Sequence, residues 1–406
     1  MAEKFRVGVI GCGGMSRNHT FGYLNSARYE VVAIADLSEQ AMKDFDERFA
    51  EYSDYHPEHF TDAREMLDTM DLDIVSVGVW HKGHAPWTIA AAARKPKAII
   101  CEKPMADTIG SAEEMLIAAR RNNVKLVIGH QRRFLPAYTL AREMIADGEI
   151  GLVRTITTVG GAGLPNYSTH QTDMFRYLLG DAECEWVFGQ VERSTDQRER
   201  STRIEDRALA LYQFKPGTGS IPANDGPAPE AGRRVTEEEQ RDIAARVGAR
   251  AIIQSDLGPY YQGAVIYGTE GMIDLTTLEL KLLSARTNGQ WKLYRPDGKF
   301  FKASEDRFEW VEGGTGQAAE LADWIEGRTD CHRGEAMNGF KALQMIHGVY
   351  ESARLHERVY LPMQTRVNPL DLMVESGHLP VRYPGEYDIR AFLLRGENFG
   401  TDAENV

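Results

Sequence analysis

With 406 residues the chain has room for two or three domains, each with its own core. Apolar residues make up 42% and charged residues 26%, which excludes wholesale disorder, collagen-like repeats and disulfide scaffolds. The 47 Lys and Arg against 60 Asp and Glu leave a net charge of −13, so neither nucleic acid nor an anionic membrane is an expected partner.

From the N-terminus, charged Glu3, Lys4 and Arg6 lead straight into Val7-Gly8-Val9-Ile10, which leaves no signal-peptide core. No apolar run reaches the roughly 18 residues of a membrane span. Cys12, Cys101, Cys184 and Cys331 are scattered without a C-x-x-C pair, as in a reducing compartment. A cytoplasmic protein is expected. Residues 5–128 then alternate β-branched runs (Val7–Ile10, Val31–Ala35, Ile74–Val79, Ala98–Cys101, Lys125–Ile128) with helix-like stretches (Ser38–Ala50, Ala85–Ala93, Ser111–Asn122). Ser111 and Glu114 have capping-box spacing. The alternation predicts a doubly wound parallel sheet, an α/β Rossmann domain over 1–130.

After Phe134 a helix is expected over Pro136–Asp147, followed by strands at Val153–Val159, Ala182–Val191, Leu209–Phe214, Ala251–Ser255, Ala264–Tyr267 and Met272–Leu275. Strands separated by short turns predict an antiparallel sheet, and hence an α+β domain over 131–361. Helices around His170–Leu179 and Gly316–Glu326 are expected to cover one of its faces. A Pro- and Gly-rich excursion over about 216–249 reads as a solvated insertion in the hairpin of Leu209–Phe214 and Ala251–Ser255. In the tail, 362–406, apolar Tyr383, Tyr387, Phe392, Leu393 and Leu394 predict docking onto this subunit or a neighbour.

The first chemical signal is Gly11-Cys12-Gly13-Gly14-Met15-Ser16, between a strand and a helix. In a G-x-G-x-x-G/A loop the first glycine permits the turn and the second admits the pyrophosphate, whose charge meets helix N-terminal amides; the third position must be small, as Ser16 is. Asp36 closes the second strand, where a carboxylate accepts from ribose hydroxyls and repels a 2′-phosphate. With no Arg at 37 or 38, NAD is expected, and NADP remains possible.

Further along, Glu102-Lys103-Pro104 ends another strand at the ligand-binding edge. With the Gly11 loop and His19, Asp36, Asp73–Val77 with His84, Gln131-Arg132-Arg133-Phe134 and His170–Gly180, it gives a chain that resembles the glucose-fructose oxidoreductase / inositol dehydrogenase / MocA (Gfo/Idh/MocA) family. Gly268–Gly271 and Val359–Pro362 extend the match to about 362. The resemblance implies a Rossmann domain joined to a C-terminal domain on a large, mostly antiparallel sheet whose open face forms homodimers or homotetramers. It also implies hydride transfer between NAD(P) and a hydroxyl-bearing carbon of a sugar, cyclitol or glycoside.

For single residues the resemblance makes Lys103 the active-site lysine and His170 the histidine facing it. Removing hydride from an alcohol carbon requires the hydroxyl proton to leave too; an imidazole titrating near neutrality can take it while an ammonium stabilises the developing alkoxide. The catalytic set is Lys103, His170 and Asn166. Asn166 departs from the family's usual aspartate and cannot itself hold a charge. The expected cofactor contacts are Gly11, Gly13, Gly14, Met15, Asp36, Trp80, His84, Glu102, Lys103 and Gln131. Gln131, Tyr167, Ser168 and Thr169 would contact substrate hydroxyls, and Trp80 would line the nicotinamide or a sugar face, or pack on its own helix. His81 and His84 lack the acidic or thiol partners of a metal site, so none is expected. Two alternatives share this scaffold: a glycosidase using NAD for transient oxidation and elimination, and a non-catalytic dinucleotide sensor.

Overall fold

The computed structural model describes residues 4–161, 163–200, 202–216, 236, 248–255, 263–305 and 308–385. Its first part alternates β1 (Phe5–Ile10), α1 (Gly14–Leu24), β2 (Tyr29–Ala35), α2 (Glu39–Phe49), β3 (Tyr55–Phe60), α3 (Ala63–Thr69), β4 (Ile74–Val77), α4 (His81–Ala92), β5 (Ala98–Cys101), α5 (Ile109–Asn122) and β6 (Lys125–Ile128). All strand pairs are parallel, in the order β3-β2-β1-β4-β5-β6. This is the doubly wound sheet the sequence predicts, whose switch point lies between β1 and β4.

Three local readings change. Edge strand β3 leaves no mark in the linear pattern, because Pro57 and exposed polar residues mask it. Helix α4 begins at His81 rather than Ala85, so Pro86 lies inside it, where it forgoes one interior backbone hydrogen bond. The cap of α5 is Thr108, whose hydroxyl accepts from the Ser111 amide at 3.0 Å, rather than Ser111 itself.

The second part runs from a short 3-10 turn, Gln131–Phe134, through α6 (Pro136–Ala146), β7 (Val153–Gly160), one wide π-helical turn (Leu164–Ser168), α7 (Thr169–Leu178), β8 (Cys184–Glu192), β9 (Arg198–Glu199), β10 (Thr202–Arg203), β11 (Arg207–Phe214), β12 (Arg250–Ser255), β13 (Ala264–Gly268), β14 (Gly271–Leu275), β15 (Leu280–Ser284), β16 (Lys292–Tyr294), α8 (Phe308–Ile325), α9 (Ala336–Leu355), β17 (Val359–Tyr360) and α10 (Pro369–Glu375). Nine strands form one sheet, β16-β15-β14-β13-β7-β12-β11-β8-β17, in which only β7 and β12 run parallel. Its inner face buries Ile156, Val187, Ala210, Ile253 and Ile266 against Tyr138, Phe175, Met345 and Val349.

The helix expected at Gly316–Glu326 does not cover this sheet. It is the end of α8, which packs on α1 of the first part, with Ala318, Leu321 and Ala322 joining the core around Val7 and Tyr29. Small residues permit the crossing: a Cβ on Gly22 would lie 2.4 Å from Gly314 O. Helix α9 takes the expected place against β8 and α7. β11 and β12 pair antiparallel as the expected hairpin. The excursion between them lies almost wholly outside the described residues, as do Tyr387, Phe392, Leu393 and Leu394. Tyr383 is exposed, and its amide donates to Ser194 O. No helix among the described residues is long and apolar enough to cross a membrane.

Candidate active site

The site forms where the carboxyl ends of β1, β2, β4 and β5 meet the π-helical turn and the β9–β10 hairpin. Gly11 has φ +89°, and a Cβ there would sit 2.9 Å from Gly78 O, so both conformation and space demand glycine. Gly13 caps α1 with no side-chain hydrogen bond to its first amides. At Gly13 and Gly14 a Cβ would meet nothing closer than 4.0 Å, leaving an open cradle above a helix N-terminus. Met15 follows in the first turn, half-buried. Ser16 is buried against Gly78, which accounts for the small third residue of the motif.

Asp36 does more than face the cradle. Its Oδ2 accepts from the Cys12 amide at 2.7 Å and its Oδ1 from the Ser38 amide at 2.9 Å, so the carboxylate also fixes the loop. The side chain stays half-exposed, with lone pairs left for a ribose diol. Gln131 is 2% exposed, and neither atom of its amide finds a partner among the described residues. An open diphosphate cradle, an acidic strand end and an orphaned buried amide together fit a dinucleotide.

Lys103 is buried, and its Nζ donates to Asn166 Oδ1 at 2.7 Å and to Asn166 O at 3.2 Å. Burial, opposed by Glu102 and Glu199 and assisted by Arg200 and Arg132, lowers its pKa to about 8. Glu102 receives the Lys103 amide on Oε2, while its Oε1 meets His19 Nε2 at 3.0 Å; His19 Nδ1 reaches Ser76 Oγ. Burial works against this carboxyl's ionisation, yet hydrogen bonding and charge from His19, with Lys103 and His84, hold it below the usual range.

His84, expected at the cofactor, is buried with Nδ1 on Pro104 O at 2.7 Å and Nε2 on Val79 O at 3.0 Å. It therefore braces the turn carrying Lys103. Trp80, half-buried, caps α4 through its backbone. His81 Nε2 lies 3.4 Å from Arg200 Nη1, and no group of three or more metal-ligating side chains occurs among the described residues.

His170, four residues after Asn166, stacks edge-on against His130 at 5.9 Å, and its buried Nδ1 has no partner among the described residues. Burial pushes its pKa well below the ordinary value, with the charges of Arg132, Lys103 and His130 adding to the effect. The sequence suggests a group titrating near neutrality; the desolvated site instead keeps this imidazole neutral. Buried Arg133 anchors α7 by a bidentate pair to Asp173, at 2.7 and 2.8 Å.

Two carboxylates absent from the sequence reading hold the π-helical turn that carries Asn166. Glu199 Oε1 accepts from Asn166 Nδ2 at 2.5 Å. Glu205 Oε1 accepts from the amides of Gly163 and Leu164, and its Oε2 from Tyr350 Oη at 2.5 Å. Residues 192–208 are a polar run without motif spacing, so nothing in the linear pattern marks these two.

Comparison with known proteins identifies the scaffold. A sequence model described as "Oxidoreductase family, NAD-binding Rossmann fold" matches residues 5–130, and one described as "Oxidoreductase family, C-terminal alpha/beta domain" matches residues 153–361. The chain belongs to the Gfo/Idh/MocA oxidoreductase family. Relatives within or near this family include 1,5-anhydro-D-fructose reductase of Ensifer adhaerens, 30% identical over 52% of this chain and 66% of that protein. Inositol 2-dehydrogenase of Burkholderia multivorans is 27% identical over 52% of this chain and 64% of its own. The chain thus spans less than two thirds of the length of these relatives. The structure of a levoglucosan dehydrogenase with NADH and levoglucosan superposes over 89% of this chain and 100% of that one, with a TM-score of 0.70 at 20% identity, a likeness of fold. The Gfo/Idh/MocA assignment makes the cradle at Gly11–Met15 part of an NAD-binding domain.

Proposed function

We propose that the protein is an NAD-dependent dehydrogenase or reductase acting on a CH–OH group of a sugar, cyclitol or glycoside, with Lys103 handling the proton and His170 beside it. NAD, when bound, supplies the hydride-accepting ring; Gly11, Gly13, Gly14, Met15 and Asp36 would hold its adenosine diphosphate half, and Trp80, Glu102, Lys103 and Gln131 would border the nicotinamide half. The relatives' names, an anhydrofructose reductase and an inositol dehydrogenase, support a hydroxyl-rich substrate.

The observation that carries the reading is the hydrogen-bond count at Lys103. Asn166 offers Nζ two acceptors. A neutral amine satisfies both with its two N–H groups and keeps a lone pair for the substrate hydroxyl proton; an ammonium has a third N–H to return it. A pKa of about 8 poises the group between these states, where general acid–base catalysis is most effective. Neutral His170 hydrogen-bonds the same oxygen, orienting it for Lys103. Oxidation therefore gains rate as pH rises through Lys103's pKa, and reduction loses it.

The open face of the nine-stranded sheet exposes Val159, Phe188, Leu209, Tyr267 and Leu293 between 41% and 57%, which supports association into homodimers or homotetramers. Light scattering measures that state. Function is tested by mass spectrometry of retained nicotinamide, then by screening polyols and glycosides for a change in nicotinamide absorbance. Net NADH formation with a polyol supports the reading. Cleavage of a glycoside without net NADH, or NAD binding with no turnover across the panel, overturns it.

A further inference from the structure

We infer that Glu199 is the remote carboxylate of this site, a positioning residue whose charge reaches Lys103 through the amide of Asn166. The inference deepens the proposed function and rests on Lys103 as the proton-handling group. An amide is directional: one end only donates and the other only accepts. Lys103 Nζ approaches Asn166 Oδ1 at 2.7 Å, so Nδ2 must face the other way, and there it meets Glu199 Oε1 at 2.5 Å. Glu199 is 1% exposed, so little water screens it. Across the pair, Glu199 Oε2 lies 3.2 Å from where a Cβ of Gly163 would project, at φ +87°, so glycine admits the carboxylate at the start of the π-helical turn.

Asn166 thus has both ends of its amide committed. The amide settles its own donor on a buried carboxylate and presents a polarised oxygen to Lys103, fixing the direction of Nζ and favouring the ammonium. Glu199 and Glu102 favour the ammonium, while Arg132 and Arg200 oppose it; His170, facing from α7, stays neutral. Removing the Glu199 charge leaves Glu102 alone against burial and the two arginines, so Lys103 shifts toward the free amine. Substituting Asn166→Asp alone would set two carboxylates in hydrogen-bond contact, forcing them to share a proton. Exchanging the two functions, Asn166→Asp with Glu199→Gln, keeps one charge and one amide in the same place.

The test reads Lys103 directly, without substrate or turnover: the full chain is pulse-labelled with acetic anhydride across pH, and Lys103 acetylation is followed by peptide mass spectrometry against exposed lysines. With a pKa of about 8, about a tenth of Lys103 is free amine at pH 7. Glu199→Gln should raise its labelling there at least about threefold and move the labelling profile to lower pH. The double variant should return labelling to the wild-type level or below. Unchanged labelling in Glu199→Gln, or a double variant that labels like the single one, overturns the inference. If Glu199→Gln does not fold, the double variant decides: wild-type-like labelling supports the relay, and failure of this shape-conserving exchange to fold overturns it. Because no turnover is read, the relay can fail while Lys103→Ala still abolishes oxidation, and the reverse can also occur.

Discussion

The two walls of the cleft are built on different principles. The nucleotide wall is backbone: consecutive residues Gly11–Ser16, a glycine whose φ is +89° and helix amides that no N-cap side chain receives, with one carboxylate, Asp36, pinning the Cys12 amide. The wall proposed to handle the proton is side chain: Lys103, Asn166, His170, Glu199 and Glu205 come from three separate stretches, with Lys103, Asn166 and Glu199 joined by buried hydrogen bonds and Glu205 holding the turn that carries Asn166. Backbone walls tolerate changes that keep their dihedrals. Side-chain walls transmit each change to the next member, because a buried polar group that loses its partner has no water to replace it.

The largest expected effect falls on the proton wall. Lys103→Ala should lower turnover by about a thousandfold on a substrate found by the nicotinamide screen, with NAD affinity nearly unchanged. Retention of most activity would separate Lys103 from the chemistry and erase the contrast between the walls. Wild-type oxidation should show its rise centred near pH 8, set by the lowered Lys103 pKa.

Next comes Glu205, which binds three donors at once. Glu205→Ala strands the amides of Gly163 and Leu164 and the Tyr350 hydroxyl, and should destabilise by about 3 kcal/mol in denaturant titration. Burial raises the Glu205 carboxyl from its ordinary 4.5 to about 7. Because the folded-state value is the higher one, the fold favours the protonated form. Its contribution is complete below about pH 4.5 and is lost as pH rises through 7, a change of about 3 kcal/mol. Glu205→Gln, neutral at every pH, should flatten that slope; an unaltered slope would assign it elsewhere.

The same contrast governs what the linear sequence reveals. Gly11-Cys12-Gly13-Gly14 and Asp36 are legible because steric rules act between near neighbours, and the motif states its geometry within a few residues. The parallel sheet is legible by period, apart from edge strand β3, whose polar residues carry no burial signal, and the antiparallel one by turn spacing as far as β14, beyond which β15, β16 and β17 are not marked. The partner of helix α8 is not legible, because apolar spacing shows that a face is buried but not against what. Lys103 and His170 enter as candidates through the resemblance. Glu199, Glu205 and the bracing role of His84 were not, since their partners lie far away in sequence and no spacing rule connects them.

On the nucleotide wall, Gly11→Ala tests whether conformation alone matters. The positive φ and the approach to Gly78 O both oppose a Cβ, so a cost of about 2 kcal/mol is expected, in stability or in NAD affinity. Gly14→Ala, where nothing lies within 4 Å, should leave stability unchanged and weaken NAD by crowding the diphosphate. Equal stability losses in both would show that the loop is rigid throughout rather than an open cradle.

The smallest expected effect is at Asp36, where the two principles meet. A plain specificity residue, when replaced by alanine, would weaken NAD, relieve repulsion of a 2′-phosphate and so improve NADP. Here the same carboxylate also receives the Cys12 and Ser38 amides. Asp36→Ala should therefore loosen the loop and weaken both dinucleotides, while the ratio of their affinities narrows by about tenfold as the repulsion is lost. Calorimetric titration with NAD and NADP separates the two contributions: the common loss reports the loop clamp, and the change in ratio reports the ribose contact. A wild-type protein that binds NADP as tightly as NAD would remove the specificity role. A variant that gains NADP affinity outright would show that the clamp contributes nothing, leaving the nucleotide wall to backbone alone.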